Sequence, residues 1–142
     1  MASDPSPKVS FSIVKAADLE TEAVMRVYET SGLAERRPLS ESGRLRRMLD
    51  GSNLIAAAYD SETLIGIARS ISDFSYATYL SDIAVDAAYQ KRGIGKELIR
   101  ITGEAAPQAK IVLLSAPAAV EYYPHIGFTQ HMSAWQLPAR LR

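Results

Sequence analysis

Residues 80–114 constrain the fold of this chain more than any other segment. An apolar run ending at Val85 leads through Asp86 into Gln90-Lys91-Arg92-Gly93-Ile94-Gly95-Lys96. Beyond the glycines, Ile94, Leu98, Ile101 and Ala105 recur at spacings of four, three and four, one apolar stripe of a helix. Pro107 closes that helix. Residues 111–114 then form a continuous apolar run, which suits a strand covered on both faces. Strand, glycine turn, helix and strand make a βαβ unit, whose crossover is right-handed.

The rest of the chain supplies a sheet for that unit to join. Residues 9–14 alternate apolar and polar, as a half-buried strand does. Asp18 is placed to cap a helix starting at Leu19, with Leu19, Ala23 and Val27 on one stripe and Gly32 at its end. Ser40 or Ser42 caps a short basic helix whose inner face is Leu45, Met48 and Leu49. Residues 54–59 and 64–71 are apolar runs joined by a polar turn, which predicts a hairpin, and residues 76–85 form the next strand. Residues 118–123 read as a short helix and residues 128–137 as one or two strands. The fold class expected is α+β: a single domain with a mixed, mostly antiparallel central sheet flanked by helices, with a parallel βαβ cleft.

Composition removes several functions. The 142 residues fit one domain and need no covalent staple to hold a core. With no Cys, disulfide frameworks, zinc ribbons and thiol nucleophiles are excluded. Sixteen basic residues balance sixteen acidic ones, which leaves little non-specific attraction for nucleic acid or an anionic membrane. No apolar run reaches a membrane span, and the N-terminus lacks the apolar stretch of a signal peptide. The expectation is a soluble cytoplasmic domain, with residues 1–8 as a flexible tail and neither nucleic acid nor membrane as partner.

Residues 90–96 carry the chemistry. Two glycines at a strand-to-helix junction allow close backbone approach and expose the free N–H groups of the first helical turn. With Lys91, Arg92 and Lys96 around them, those donors suit a phosphate or diphosphate. The dinucleotide fingerprint fails because Leu98 stands where its third glycine belongs. The P-loop fails because Gln90 and Glu97 replace its first glycine and its Ser or Thr.

What remains is Q/R-x-x-G-x-G/A, carried by Gln90, Gly93 and Gly95. Residues 83–98 resemble the central motif of the GNAT superfamily of acetyl-CoA-dependent N-acetyltransferases. Glu121-Tyr122-Tyr123-Pro124-His125-Ile126-Gly127-Phe128 is similar to its second signature, an aromatic-Tyr-x-x-x-Gly-Phe run. The resemblance implies that residues 9–142 are an N-acetyltransferase domain with acetyl-CoA as co-substrate and no metal. It implies that the pantetheine arm pairs with the backbone of Ile83, Ala84 and Val85. The pyrophosphate would lie on Arg92, Gly93, Ile94, Gly95 and Lys96, flanked by Gln90 and Lys91. Tyr123 takes the place of the acid that protonates the departing CoA thiolate, and a backbone N–H near Val85 that of the oxyanion donor.

The acceptor implied is an amine of a small molecule or peptide, meeting residues 32–40 and 74–79. Arg36 or Arg37 could hold an acceptor carboxylate or phosphate, and Tyr28, Phe74, Tyr76 and Tyr79 could wall the amine. Family members are often dimers through C-terminal strands, a role open to residues 131–137. The chain departs from the family in two places. Pro124 should end or kink the short helix at Tyr123, and Ser115-Ala116-Pro117 stands where many members carry an Asn. Tyr79 occupies the position of the Glu that a few members use as a base. Strand alternation would turn the nearby Asp82 to the face opposite Tyr79 and Ser81. His125 and His131 have no carboxylate at a pairing distance in sequence, and a water chain is the expected route for the amine proton. The rival reading is a non-catalytic acyl-CoA-binding or regulatory module.

Overall fold

In the computed structural model, which describes residues 8–139, five strands form one sheet in the order β1-β2-β3-β4-β5. They are β1 (Val9–Val14), β2 (Leu54–Asp60), β3 (Thr63–Ser72), β4 (Ala77–Val85) and β5 (Lys110–Val112). The first four neighbour one another antiparallel, and β5 joins β4 parallel. Residues 1–7 of the expected tail lie outside the described residues. Among the described residues no helix is long and apolar enough to cross a membrane.

Helices cover both faces. On one face lie α1 (Thr21–Ser31) and α2 (Arg44–Asp50), whose Val24, Val27, Leu45 and Leu49 pack on Ile55, Ala57, Ile67 and Ala84. On the other lies α3 (Ile94–Ala105), whose Ile94, Leu98 and Ile99 pack on Ala56, Ala58, Ile65, Ala68 and Leu80. Small residues at the centre let α3 come close. A Cβ added at Gly66 would stand 3.2 Å from Leu98 Cδ1 and 3.4 Å from Ile94 Cγ2. The buried stripe of α3 runs through Ile94, Leu98, Ile99 and Thr102, so the expected Ile101 and Ala105 sit on its half-buried shoulder.

Several sequence expectations change. Asp18 does not cap α1. It ends a 3₁₀ turn at Ala16–Asp18, and Arg46 of α2 donates to the carbonyls of Ala16 and Leu19, both at 2.7 Å. Gly32 does end α1, in a left-handed conformation. Gly43, not a serine, precedes α2. Pro124 neither ends nor kinks the helix, because α4 (Tyr122–His125) starts only at Tyr122. Pro124 therefore falls in the first turn, where its missing N–H costs nothing.

The C-terminal strands are the largest difference. None of residues 128–139 is in a strand, and Met132, Trp135 and Leu137 are exposed. A turn closed by Ser133 N–H donating to His131 Nδ1 interrupts the segment, and the three-residue β5 offers little edge to pair with. The strand expected to serve a dimer is thus not formed among the described residues. For the same reason β5 is covered on one face only: Ile111 packs toward α3 while Val112 is exposed.

Candidate active site

Strands β4 and β5 pair only from Ala77–Lys110 to Tyr79–Val112 and then separate. Immediately beyond that point β4 bulges: Ser70 faces Leu80 and Arg69 faces Asp82, which leaves Ser81 as an extra residue. A bulge bends its strand and re-aims the side chains on either side. Here it reverses the alternation. Leu80 and Ile83 pack toward α3, while Asp82, like its partner Arg69, turns toward α1. Tyr79 pairs with Ile71, two residues along β3 from Arg69, so Tyr79 and Asp82 share a face. The expectation from strict alternation fails at this bulge.

The separating strands open a cavity of about 850 Å³. Its floor is the free edge of β4. Asp86 N–H donates to Ile65 O of β3 at 2.8 Å, so alternation turns the backbone groups of Ala84 to β3 and those of Ile83 and Val85 to the cavity. The N–H and carbonyl of Ile83 and the N–H of Val85 are thereby left for an extended ligand. Gln90 Nε2 caps the Val85 carbonyl at 3.0 Å.

At the C-terminal end of β4, Asp86 builds the turn. It accepts from Ala88 N–H at 2.9 Å and from Arg26 Nη1 at 2.6 Å, which ties the loop to α1. Lys91 and Gly93 then take left-handed conformations, with φ of 64° and 79°. Glycine adopts that geometry freely, so its place immediately before α3 has a local cause. Glu97 is the first residue to bond back to Gly93 O, at 3.1 Å. The N–H groups of Ile94, Gly95 and Lys96 therefore have no partner within the helix and line the cavity's end with Lys91 and Lys96. Free N–H groups at a helix terminus beside two lysines suit a diphosphate in shape and charge.

At the other end, α4 brings in Tyr123 beside Tyr122 and Phe128, whose rings lie edge-to-face at 5.3 and 5.4 Å. Burial raises the Tyr123 hydroxyl above the usual tyrosine range, Tyr122 adds to this, and Arg36 opposes it. Tyr123 thus holds its proton at neutral pH.

Opposite stands a buried charge cluster. Asp82, 1% exposed, accepts from Arg69 Nε at 2.6 Å, Arg37 Nε at 2.6 Å and the Tyr28 hydroxyl at 2.7 Å. Burial alone would push the Asp82 carboxyl up, but Arg69 and Arg37 together hold it below the usual carboxylate range. Arg37 also donates to Ser81 O and Arg36 O, both at 2.8 Å, which locks the segment after α1 onto the bulge.

The cavity wall includes Ile83, Ala84, Val85, Gln90, Lys91, Gly93, Ile94, Gly95, Lys96, Arg37 and Tyr123 of the residues singled out from sequence. Arg92 is not in the wall; its guanidinium lies 5.5 Å from the Tyr89 ring centroid. Tyr28 is buried in the core on Asp82, and Tyr76 receives a hydrogen bond from Lys110 on the exterior. Tyr79 faces a separate hollow with Val112 and Leu114. Residues 31–33, Leu113, Ala116, Ala119 and Ile126 also line the cavity. The one sequence signal for these was position: they follow α1 and β5 at the mouth of the βαβ unit.

A family model for the acetyltransferase (GNAT) domain matches residues 20–136, which contain the whole cavity. The chain belongs to the GNAT acetyltransferase family. Probable acetyltransferase TAP2 of Glycine max is 31% identical to this GNAT chain over 120 residues, covering 72% of it and 47% of the relative. Histone acetyltransferase TAP1 of Glycine max is also 31% identical, over 121 residues, covering 72% and 51%. The chain thus spans about half the length of these curated relatives. A GNAT-family acetyltransferase of Streptococcus pneumoniae TIGR4 superimposes with a TM-score of 0.74 at 20% identity, covering 94% of this chain and 98% of the other. An aminoglycoside acetyltransferase from an uncultured soil metagenomic sample gives a TM-score of 0.68 at 17% identity, covering 94% and 97%. The sheet order and helical layers described above are therefore those of the GNAT fold.

Proposed function

We propose that this chain transfers the acetyl group of acetyl-CoA directly to an amine, in a ternary complex and without a covalent enzyme intermediate. One observation carries the reading. A diphosphate-shaped helix terminus, a strand edge free of a sheet partner and a half-buried, protonated tyrosine share a single cavity. The N–H groups of Ile94, Gly95 and Lys96 hold the diphosphate, with Lys91 and Lys96 neutralising its charge. The edge at Ile83 and Val85 pairs with the amide-bearing arm and offers an N–H to the thioester carbonyl oxygen. Acetyl-CoA supplies an activated acyl group. As the nitrogen–carbon bond forms and the carbon–sulfur bond breaks, Tyr123 gives its hydroxyl proton to the departing sulfur. The proton that the acylated nitrogen sheds on becoming an amide passes through water back to the tyrosinate. None of the described residues lining the cavity is Asp, Glu or His, so water takes the ammonium proton before attack.

The test pairs calorimetry with a thiol-release assay over a panel of small amines and peptides. Acetyl-CoA binding together with release that depends on the amine is the expected result. Binding without release for any amine would leave a non-catalytic acyl-CoA module, the reading that the carboxylate-free cavity otherwise favours.

A further inference from the structure

Resting on the transferase reading, we infer that the acceptor is an amine that also carries an oxyanion, a carboxylate or a phosphate, and that Arg36 recognises it. The charged side chains lining the cavity are Arg36, Arg37, Lys91 and Lys96, with no carboxylate among the described residues that form the wall. The two lysines stand at the α3 terminus. Arg36 stands at the opposite end, where its charge is felt at the Tyr123 hydroxyl, the site of proton transfer.

The neighbouring arginines have different tasks. Arg37 is committed, with Nε, Nη1 and Nη2 donating to Asp82, the Arg36 carbonyl and the Ser81 carbonyl. Asp82 is in turn shared by Arg37 and Arg69, so this cluster keeps one net positive charge. None of the ion pairs among the described residues includes Arg36. The bond from Arg37 pins the Arg36 backbone at the end of a 3₁₀ turn, Leu33–Arg36, while its exposed side chain reaches the cavity. The nearby carboxylates Glu35 and Glu121 are exposed and do not line it. An uncompensated guanidinium at the reacting end suits bidentate capture of an oxyanion.

The same field does chemical work. A positive environment disfavours the ammonium form of a bound amine and lowers its pKa. That eases loss of the proton in a site without a carboxylate or imidazole base. Polyamines and aminoglycosides, with several ammonium groups, meet repulsion instead.

The test is thiol release at saturating acetyl-CoA with matched amines: glucosamine 6-phosphate against glucosamine, 4-aminobutyrate against 4-aminobutyramide, and spermidine and an aminoglycoside as polycations. The phosphate and carboxylate pairs separate the two oxyanion sources. At least one oxyanion-bearing member should exceed its neutral counterpart and both polycations by about tenfold or more in kcat/KM. Arg36→Glu should cut that preference by about 10- to 100-fold, with Arg36→Gln between, while the KM for acetyl-CoA stays within about twofold. Preference for a polycation, equal turnover of neutral and anionic partners, or an Arg36→Glu variant with unchanged selectivity would overturn the inference. Bound acetyl-CoA with no release from any amine would instead overturn the transferase reading beneath it.

Discussion

Replacing Asp82 by Asn keeps the shape of the side chain and removes the charge at the centre of the α1-side core. Three donors converge on that carboxylate: Arg69 Nε, Arg37 Nε and the Tyr28 hydroxyl, at 2.6, 2.6 and 2.7 Å. Asn can accept through one oxygen only, and its amide hydrogens would face guanidinium donors. Breaking a buried pair by removing one partner costs about 3–5 kcal/mol. For a domain of this size each kcal/mol lowers Tm by about 2–4 °C, so a fall of about 6–20 °C is expected. Circular dichroism melts and urea titrations of wild type and Asp82→Asn at pH 7 measure it. Acid supplies an internal control. Because the folded-state pKa of Asp82 is depressed, its contribution is complete above the ordinary carboxylate pKa of about 4 and is lost as pH falls through the lower folded value. The gap between wild type and variant should therefore close below about pH 4. A variant within about 1 kcal/mol of wild type at pH 7, or a gap that widens in acid, would refute this account of the cluster.

Three further outcomes follow from the same geometry. Gly66→Ala places a Cβ 3.2 Å from Leu98 Cδ1, an overpacking that should cost about 1–3 kcal/mol in denaturant titrations. Because Ile94 Cγ2 is also within 3.4 Å, the first turn of α3 shifts with it, and calorimetry should show weaker acetyl-CoA binding. Lys91→Gln and Lys96→Gln should each weaken acetyl-CoA roughly two- to fivefold at low salt, an effect that shrinks as ionic strength rises. With Tyr123 held protonated, the pH–rate profile should rise with the free-amine fraction of the acceptor, level off once the amine is deprotonated, and show no decline up to about pH 10, the ordinary tyrosine pKa. A decline beginning below that value would show a different acid.

The βαβ unit was legible in the sequence because its signals are local. The apolar spacing of α3, the glycines before it and the run through Ile111 each report on a few adjacent residues. The loop at residues 90–96 was legible for the same reason, since left-handed Gly93 and the free N–H groups are properties of one turn. The bulge at Ser81 was not, because a bulge exists only in relation to the partner strand. Once register is lost by one residue, alternation assigns Asp82 and Tyr79 to the wrong faces. Tyr28, Arg36 and Arg37 show the limit for side chains. Composition cannot say which of two adjacent arginines is consumed by a buried carboxylate 45 residues away in the chain, nor that a tyrosine hydroxyl ends on the same group. The expected strands in residues 128–137 failed because strand formation needs an edge, and β5 ends at Val112.

Tyr123→Phe separates proton donation by the hydroxyl from packing of the ring. The substitution keeps the ring that packs edge-to-face on Tyr122 and Phe128 and removes only the hydroxyl. With a saturating amine that the wild type acetylates, kcat should fall by about 100-fold or more while the acetyl-CoA dissociation constant stays within about twofold. Wild-type turnover in the variant would assign protonation of the CoA thiolate to another group and contradict the account.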